Sequence, residues 1–457
     1  MNTKKTDRLS NPTRRTIVKG LAASPLVLAL GANKLGAQEL SQMSSNTQSS
    51  NSEFVNGVSD SQIVLGTSAA FTGPSRGLGI ELYRGAMAYF QDVNSKGGVH
   101  GREITLKLYD DGYQPDPAVN NTTKLMRDDK VFALFGYVGT PTVTRVLPLL
   151  KKFQDENFLL FFPFTGAQPQ RQLPYGPFAF NLRASYRQET GGLVENFVKV
   201  GREKVGVFYQ ADAYGRSGWA GCREALAKHN LKMVGEATYT RGTQYTASLK
   251  DQVEWFMRDK PDAIVCIGAY AACAAFLRDA VDGGLQIPIA NLSFVGSENL
   301  LKLITDDDEI EHAEQYSQFL VNSQVVPSYN DLSLEGVQLY DEFMTKNAPS
   351  APSEVTSDDE EYKTFDRSFV SLEGFLNAKL MTEILTRLGP EPTREGVEEA
   401  VFSIQDLDLG IGETVSFNED RRQGLDRVYY TIVENGSFVP LRDWDSASNS
   451  WTEAASS

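Results

Sequence analysis

Short apolar segments alternate with amphipathic helical segments along most of the chain, and this alternation occurs in two successive series. In the first series, apolar strands are predicted at residues 63–69, 104–109, 131–135 and 158–162. The second series starts afresh, with strands predicted at residues 204–210, 232–239, 263–268 and 289–292. Strands that alternate with helices form parallel βαβ units. The sequence therefore predicts an α/β protein with two Rossmann-like lobes and a ligand cleft between them.

The composition limits the classes of function. The chain has 457 residues, 41% of them hydrophobic, which is enough for two or more domains with large cores. Its formal net charge of −15 argues against nucleic acids and anionic membrane surfaces as partners. The three histidines lie far apart in the sequence, so they do not predict a metal site. We expect neither a metal nor a cofactor.

The three cysteines do not predict a disulfide framework. Their positions, which also lack the spacing of a zinc site, are Cys222, Cys266 and Cys273. We expect them to be buried thiols, and a pair between Cys266 and Cys273 is left open as the alternative.

The N-terminal segment predicts export from the cytoplasm. Arg14 and Arg15 form a twin-arginine pattern, and the apolar stretch at 20–32 is much shorter than the roughly 20 residues that span a bilayer. Residues 1–37 are therefore predicted to be a cleaved signal peptide of the twin-arginine type, with an ordinary Sec signal as the alternative. A periplasmic location follows from either. The remaining terminal segments are predicted to be a flexible linker at 38–60 and a tail at 446–457.

Two stretches of the sequence come close to motifs typical of enzymes, but both motifs are incomplete. Residues 215–218 lack the second glycine of a nucleophile elbow, and residues 77–79 lack the third glycine of a dinucleotide fingerprint. The acidic runs at 306–309 and 358–361 lack the glycine and the spacing of a calcium loop. The sequence therefore predicts a protein that is not an enzyme.

Polar and aromatic residues follow directly after several predicted strands. In open α/β sheets these positions line the ligand crevice. Thr140 is predicted to be a helix N-cap, with Pro141 at the first helical position, and such a helix end suits a carboxylate. The other candidates that follow strands are Phe164, Thr165, Tyr214, Tyr270 and Glu298.

At these residues and at several motifs, the chain resembles the periplasmic solute-binding proteins of ABC transporters, of the leucine/isoleucine/valine-binding type. The motifs that carry the resemblance are Thr72-Gly73-Pro74, the Asn-x-x-Gly-Gly-x-x-Gly-Arg stretch at 94–102, Tyr109-Asp110-Asp111, Tyr214-Gly215, Gly268-Ala269-Tyr270 and Gly296-Ser297-Glu298. The resemblance implies the type I periplasmic binding fold, with three crossover segments between the lobes. Lobe one would comprise residues 61–181 and 327–410, and lobe two would comprise residues 182–326 and 411–445.

The resemblance also implies roles for the candidate residues. Thr140 and the Phe164-Thr165 region would hold the α-carboxylate of an amino acid, and Glu298 would hold its α-ammonium. The aromatic residues that would close over the ligand are Tyr214 and Tyr270. The chain departs from the family pattern at Leu78, Phe164, Gly166 and Gly139, which stand where the family has a tyrosine, a small residue, a hydroxyl residue and a cysteine.

The sequence thus predicts a solute-binding component of an ABC importer, which binds a small polar solute by hinge closure. An amino acid or a related zwitterion is the expected solute, and a membrane permease is the expected partner of the monomer. The alternatives are a sensor subunit for a membrane receptor, a binder of an organic acid or amide, and an exported α/β enzyme.

Overall fold

A computed structural model of the chain describes residues 56–305, 314–357 and 362–456. The predicted signal peptide, most of the predicted linker and both acidic runs lie outside the described residues. Within the described ranges, no helix combines the length and the apolar character needed to cross a bilayer.

The first sheet consists of five parallel strands. They are β1 (Gln62–Ala69), β2 (Glu103–Asp110), β3 (Ala133–Phe135), β4 (Leu160–Phe161) and β5 (Ala179–Phe180). Their spatial order is β2-β1-β3-β4-β5. Most residues of β1 are buried, as is typical of a parallel strand that is covered on both faces.

The second sheet has seven strands in the described residues. They are β6 (Val205–Gln210), β7 (Gly235–Tyr239), β8 (Ala263–Ile267), β9 (Ile289–Asn291), β10 (Leu320–Gln324), β13 (Tyr429–Glu434) and β14 (Ser437–Pro440), while β11 (Leu407–Asp408) and β12 (Thr414–Val415) form a separate pair. The spatial order is β14-β13-β10-β9-β8-β6-β7. Asn435 and Gly436, which both have positive φ, join antiparallel β13 and β14 in a tight hairpin.

Helices connect these strands. The α-helices are α1 (Arg76–Ser95), α2 (Pro115–Arg127), α3 (Thr140–Lys152), α4 (Tyr186–Lys199), α5 (Ala213–Lys228), α6 (Lys250–Asp259), α7 (Tyr270–Asp282), α8 (Ser297–Thr305), α9 (Glu314–Ser317), α10 (Glu335–Asn347), α11 (Phe369–Leu388), α12 (Val397–Phe402) and α13 (Trp444–Ala454). Short 3₁₀ helices lie at Gln154–Glu156, Pro169–Arg171, Gly176–Phe178 and Ser293–Val295.

The chain passes three times between the two sheets, which confirms the predicted two-lobe α/β fold. It leaves the first sheet between β5 and α4, returns after β10, and crosses again between α12 and β13. The returning segment includes α11, which packs along α1. This packing requires a glycine, because a Cβ at Gly85 would overlap the carbonyl oxygen of Ser371.

Both predicted terminal segments differ from the structure. Residues 446–457 were predicted to be a tail, but α13 covers most of them because Trp451 is buried and its ring packs against Trp444. The last residues of the predicted linker bond to the first sheet, since the N–H of Val64 donates to the carbonyl oxygen of Gly57 at 2.8 Å. Ordered structure therefore extends beyond residues 61–445 at both ends.

The cysteines agree with their prediction. All three are buried and free. Among the described residues, no group of three or more histidine, cysteine, aspartate or glutamate side chains is arranged to hold a metal ion.

Candidate functional site

The segment between β9 and α8 contacts the predicted site residues of both lobes through Phe294. The Phe294 ring centroid lies 5.4 Å from that of Phe164 and 5.8 Å from that of Tyr113, which both belong to the first lobe. It also lies 4.7 Å from that of Tyr214 at the start of α5. Aromatic pairs at these separations attract each other beyond the area they bury. Phe294 is therefore the central ring of an aromatic cluster between the lobes.

Two residues further along, Gly296 brings the segment against Tyr270. Gly296 has a φ of 75°, and a Cβ at this position would meet both the Tyr270 ring and the Leu78 side chain. The Tyr270 hydroxyl accepts a hydrogen bond from the N–H of Gly77 at 3.1 Å, which links the second lobe to the start of α1. Position 296 requires glycine, because a positive φ of this size is unfavourable for residues that carry a side chain.

A pair of buried threonine hydroxyls lies on the first lobe beside this cluster. Thr140 Oγ1 and Thr165 Oγ1 are 2.7 Å apart, and Thr140 Oγ1 also donates to the Tyr186 hydroxyl at 3.3 Å. The Tyr186 ring packs against Tyr214 with a centroid separation of 5.1 Å. The hydroxyl pair therefore adjoins the aromatic cluster.

The predicted start of α3 is wrong by one residue. Gly139, with a φ of 107°, is the N-cap, and Thr140 is the first helical residue. The reason is steric, because a Cβ at position 139 would overlap the Tyr113 ring. Since Thr140 does not cap the helix, its hydroxyl is free to meet Thr165. The first-turn N–H groups of Thr140 and Thr142 lack intrahelical acceptors and give this end a partial positive charge.

Glu298 is the second residue of α8 and is almost fully buried. Its Oε1 accepts a hydrogen bond from the N–H of Phe369, the first residue of α11, at 3.2 Å. Its Oε2 is buried and has no hydrogen-bond partner among the described residues. Burial raises the pKa of Glu298 to about 7, although the backbone N–H bonds and the nearby Tyr329 hydroxyl oppose the shift. A buried carboxylate with one unsatisfied oxygen is suited to receive a cation.

A buried arginine, Arg183, packs against the Phe164 ring. The guanidinium of Arg183 is only 1% exposed and lies 4.5 Å from the Phe164 ring centroid. Its Nη2 donates to Ser293 Oγ. Glu189 Oε1 is 3.8 Å from Arg183 Nη2, and Glu373 Oε1 is 3.6 Å from Arg183 Nε. We call Arg183, Glu189 and Glu373 the charge cluster.

Helix α11 connects Glu298 with the charge cluster. Phe369, which donates to Glu298, and Glu373, which approaches Arg183, are four residues apart on this helix. Four residues correspond to about 6 Å of helix rise and lie on the same face. The structure thus brings Thr140, Phe164, Thr165 and Tyr214 together around the aromatic cluster. Tyr270 lies against Gly296 and Gly77, and the Glu298 carboxylate faces Phe369 and Tyr329.

Two cavities open beside this region, one on each side of α8. A cavity of about 400 Å³ is lined by Glu298, Tyr329 and residues 363–367, and one of about 300 Å³ is lined by Tyr270 and Asn299. Both volumes lie in the range of small-molecule sites. Of the predicted site residues, Glu298 lines the first of these cavities and Tyr270 lines the second.

Several residues of the candidate site carry no recognisable sequence signal, among them Phe294, Tyr186 and Arg183. Phe294 lies in an apolar run that looks like a continuation of the preceding strand. Tyr186 and Arg183 lie at the first crossover, where single residues have no motif around them. The aromatic character and the position next to a crossover would have been the only available signals.

The region can bind a dipolar molecule without covalent chemistry. The hydroxyl pair and the N-terminus of α3 favour an anionic group, whereas the buried Glu298 carboxylate favours a cationic one. The aromatic rings beside the hydroxyl pair favour an apolar body.

Comparisons with known proteins find related sequences and similar folds. A family model described as periplasmic binding protein matches residues 62–437. An amino acid binding protein of Pseudomonas aeruginosa is 27% identical over 182 residues, which cover 39% of this chain and 47% of that protein, so the match spans about half of that relative. A Leu/Ile/Val-binding protein of Escherichia coli is 21% identical over 263 residues, which cover 56% of this chain and 69% of that protein. A crystal structure of a possible leucine/isoleucine/valine-binding protein from Rhodopirellula baltica superposes with a TM-score of 0.74 at 27% identity, covering 85% of this chain and 98% of that one.

Proposed function

The chain belongs to the periplasmic binding protein family, and we propose that it is the extracytoplasmic solute-binding component of an ABC importer. Its relatives are binding proteins rather than enzymes, so a solute-binding role is the premise from which the proposal starts. The proposed partner is a membrane permease. The protein would act as a monomer in the periplasm, after export by the twin-arginine route that Arg14 and Arg15 indicate.

The proposed solute is an amino acid or a related zwitterion. Its carboxylate would bond to the hydroxyls of Thr140 and Thr165 at the N-terminus of α3, which supplies further N–H donors. Its ammonium would bond to Glu298. The observation that carries the proposal is the unpartnered Oε2 of this buried carboxylate, because an ammonium donor satisfies it and compensates its desolvation. The names of the relatives, which include amino acid and Leu/Ile/Val-binding proteins, support the same solute class.

Aromatic side chains would enclose the body of the solute. Phe164 and Tyr214 contact the central Phe294 ring from the first and the second lobe, and Tyr270 lies next to Gly296. Rings from both lobes would bury the apolar part of the solute when the lobes approach each other. We therefore include Phe164, Tyr214 and Tyr270 among the proposed binding residues.

Closure of two rigid lobes is the proposed mechanism. The proposed lobes are residues 61–181 with 327–410 and residues 182–326 with 411–445. Hydrogen bonds between the lobes support a closed arrangement, since Gln210 Nε2 donates to the Tyr113 hydroxyl at 3.2 Å and the N–H of Gly77 donates to the Tyr270 hydroxyl at 3.1 Å. A solute that bonds to both lobes shifts the equilibrium toward this state, which the permease would recognise.

A thermal-shift and calorimetry screen with the individual L-amino acids tests the proposal. We expect at least one of them to raise the melting temperature with a 1:1 stoichiometry, because a ligand that binds only the folded state stabilises it. Native mass spectrometry before the screen detects a solute retained from expression. Binding of an organic acid without any amino group, with no amino acid bound, would overturn the proposed solute class.

A further inference from the structure

The charge cluster contains more buried hydrogen-bonding groups than its own members satisfy. Arg183 bonds to Ser293, yet its Nε and Nη1 atoms are buried without a hydrogen-bond partner among the described residues. Glu189 Oε2 accepts from the N–H of Ser293 and from Ser323 Oγ, whereas its Oε1 lacks a partner in the same part of the chain. Buried polar groups are rarely left without a partner unless a ligand or water supplies it. The cluster thus offers donors and an acceptor at the same place.

Helix α11 adds further groups of both kinds. Glu373, which is 3.6 Å from Arg183 Nε, and Asn377 are four residues apart and therefore lie on one face of this helix. The side-chain oxygen and nitrogen of Asn377 are both buried, and neither has a hydrogen-bond partner in the described ranges. One face of α11 therefore continues the mixture of donors and acceptors that begins at Arg183.

The charges of this neighbourhood already balance. Arg171 donates to the carbonyl oxygens of Thr165 and of Arg183, so it is a second, half-buried cation beside the charge cluster. Two arginines thus face two glutamates, Glu189 and Glu373, and the four charges balance above pH 7 because burial raises the pKa of Glu373 to about 7. A ligand carboxylate or ammonium would add one uncompensated buried charge, which is unfavourable in a site of low polarity. A neutral group that both donates and accepts hydrogen bonds adds none.

We propose that the charge cluster of Arg183, Glu189 and Glu373 is a side-chain subsite that binds a primary carboxamide. The oxygen of the carboxamide accepts hydrogen bonds from the unpartnered N–H groups of Arg183. The NH₂ group of the same carboxamide donates to Glu189 Oε1 and to Glu373. The subsite lies against the Phe164 ring and one turn of α11 from the Phe369–Glu298 contact. This inference rests on the proposed amino-acid function and narrows its solute class to amide side chains such as that of glutamine.

Three amino acids of similar size test the subsite with the full-length protein. L-Glutamine, L-glutamate and L-leucine share the α-carboxylate and the α-ammonium, so their relative affinities report the side-chain subsite alone. Propionamide tests the carboxamide without the amino-acid groups. We expect calorimetry to give at least tenfold tighter binding of glutamine than of glutamate or leucine.

Two glutamate variants of the same helix separate a binding role from a structural one. Glu373→Gln removes one negative charge from the subsite, so the preference for glutamine over glutamate should fall at least tenfold. Glu383→Gln is the matched control, because Glu383 is also on α11 but pairs with Arg387 at the surface. The preference of this variant for glutamine over glutamate should equal that of the wild type. A structural defect would weaken both ligands together and leave their ratio intact.

A pH series provides the same test without mutation. Burial raises the pKa of Glu373 to about 7, with Arg183 and Arg171 lowering it and Glu189 raising it. The glutamine-to-glutamate affinity ratio of the wild type should therefore fall when the pH is lowered through about 7. Protonation of Glu298 affects both ligands equally, so it cancels in the ratio.

The outcomes distinguish the inference from the function on which it rests. Tighter binding of leucine or glutamate than of glutamine, or an unchanged ratio in Glu373→Gln, overturns the subsite and leaves the amino-acid function intact. Binding of propionamide with no amino acid bound supports the subsite and overturns the amino-acid function. Failure of all four probes overturns the subsite, and the screen of the remaining L-amino acids then decides the amino-acid function separately.

Discussion

The two ends of the proposed solute site satisfy their polar groups very differently. At the first-lobe end, the hydroxyls of Thr140 and Thr165 bond to each other and to Tyr186, and all three are buried. At the second-lobe end, Glu298 has one bonded and one unpartnered oxygen beside a cavity of about 400 Å³. The hydroxyl end is neutral and already organised, whereas the Glu298 end carries a desolvation cost that a cationic ligand relieves.

This difference indicates how each end contributes to binding. A neutral hydroxyl pair orients a carboxylate with little change in the energy of the unliganded protein. The buried Glu298 carboxylate is unfavourable until a charge of opposite sign arrives, so it makes binding depend strongly on the ammonium. Variants at the two ends should therefore differ in the size of their effects and in their pH dependence.

The largest effect is expected at the Glu298 end. Glu298→Gln should weaken binding of the identified amino acid by roughly 2–5 kcal/mol, because it leaves the ligand ammonium without its partner. The variant keeps a side-chain oxygen for the N–H of Phe369, so the fold should persist. Calorimetry measures the change, and Glu254→Gln on the exposed face of α6 is the control. Equal affinities in Glu298→Gln and in the wild type would separate Glu298 from the ligand.

The same glutamate should make the unliganded protein less stable as the pH rises. Its folded-state pKa of about 7 exceeds the ordinary value of 4.5, so the folded state binds more protons between these two values. Stability therefore falls through this range, by up to about 3 kcal/mol for this group.

Urea unfolding at about pH 5 and at about pH 8 measures this effect as the difference between the wild type and Glu298→Gln. The pH-dependent loss should be smaller in the variant. Parallel pH profiles of the two proteins would show that Glu298 does not titrate with a raised pKa.

A smaller effect is expected at the hydroxyl end. Thr140→Ala should weaken binding by about 1.5–3 kcal/mol, the contribution of one hydrogen bond to a charged group. The loss should not depend on pH near neutrality, since a hydroxyl does not titrate there. Thr123→Ala on the exposed face of α2 is the control in the same calorimetry. A loss as large as that of Glu298→Gln would remove the contrast between the two ends.

The smallest effect is expected at Tyr270, which links the lobes rather than an end of the solute. Tyr270→Phe removes the hydrogen bond from the N–H of Gly77 and keeps the ring, so closure should be less favourable by about 0.5–1.5 kcal/mol. Small-angle scattering should then show a larger radius of gyration for the unliganded variant than for the wild type. Identical radii would mean that this bond does not hold the lobes together.

Most of the fold could be predicted because the alternation of strands and helices is strong. The errors in the predicted fold have local causes. The start of α3 was displaced because the contact of Gly139 with Tyr113 is not visible in the sequence. Helix α13 was missed because its Ser- and Asn-containing sequence is weakly helical, and the burial of Trp451 fixes it.

The site was only partly predictable for a related reason. The rule that polar residues after strands line the cleft selects Thr140, Thr165 and Glu298 as candidates, but it does not say which groups these side chains contact. Arg183 and Phe294 belong to the site through contacts between distant segments, and neither lies in a recognisable motif. Tertiary packing therefore decided which residues complete the site.

The central claim is that one solute bonds to the hydroxyl pair through its carboxylate and to Glu298 through its ammonium. A thermodynamic cycle that combines one change in the ligand with one change in the protein tests this claim. Calorimetry measures the affinities of the identified amino acid and of its N-acetyl derivative for the wild type and for Glu298→Gln. N-acetylation should weaken binding strongly in the wild type and far less in the variant, because the variant has already lost the ammonium contact. An equal loss in both proteins would contradict the account.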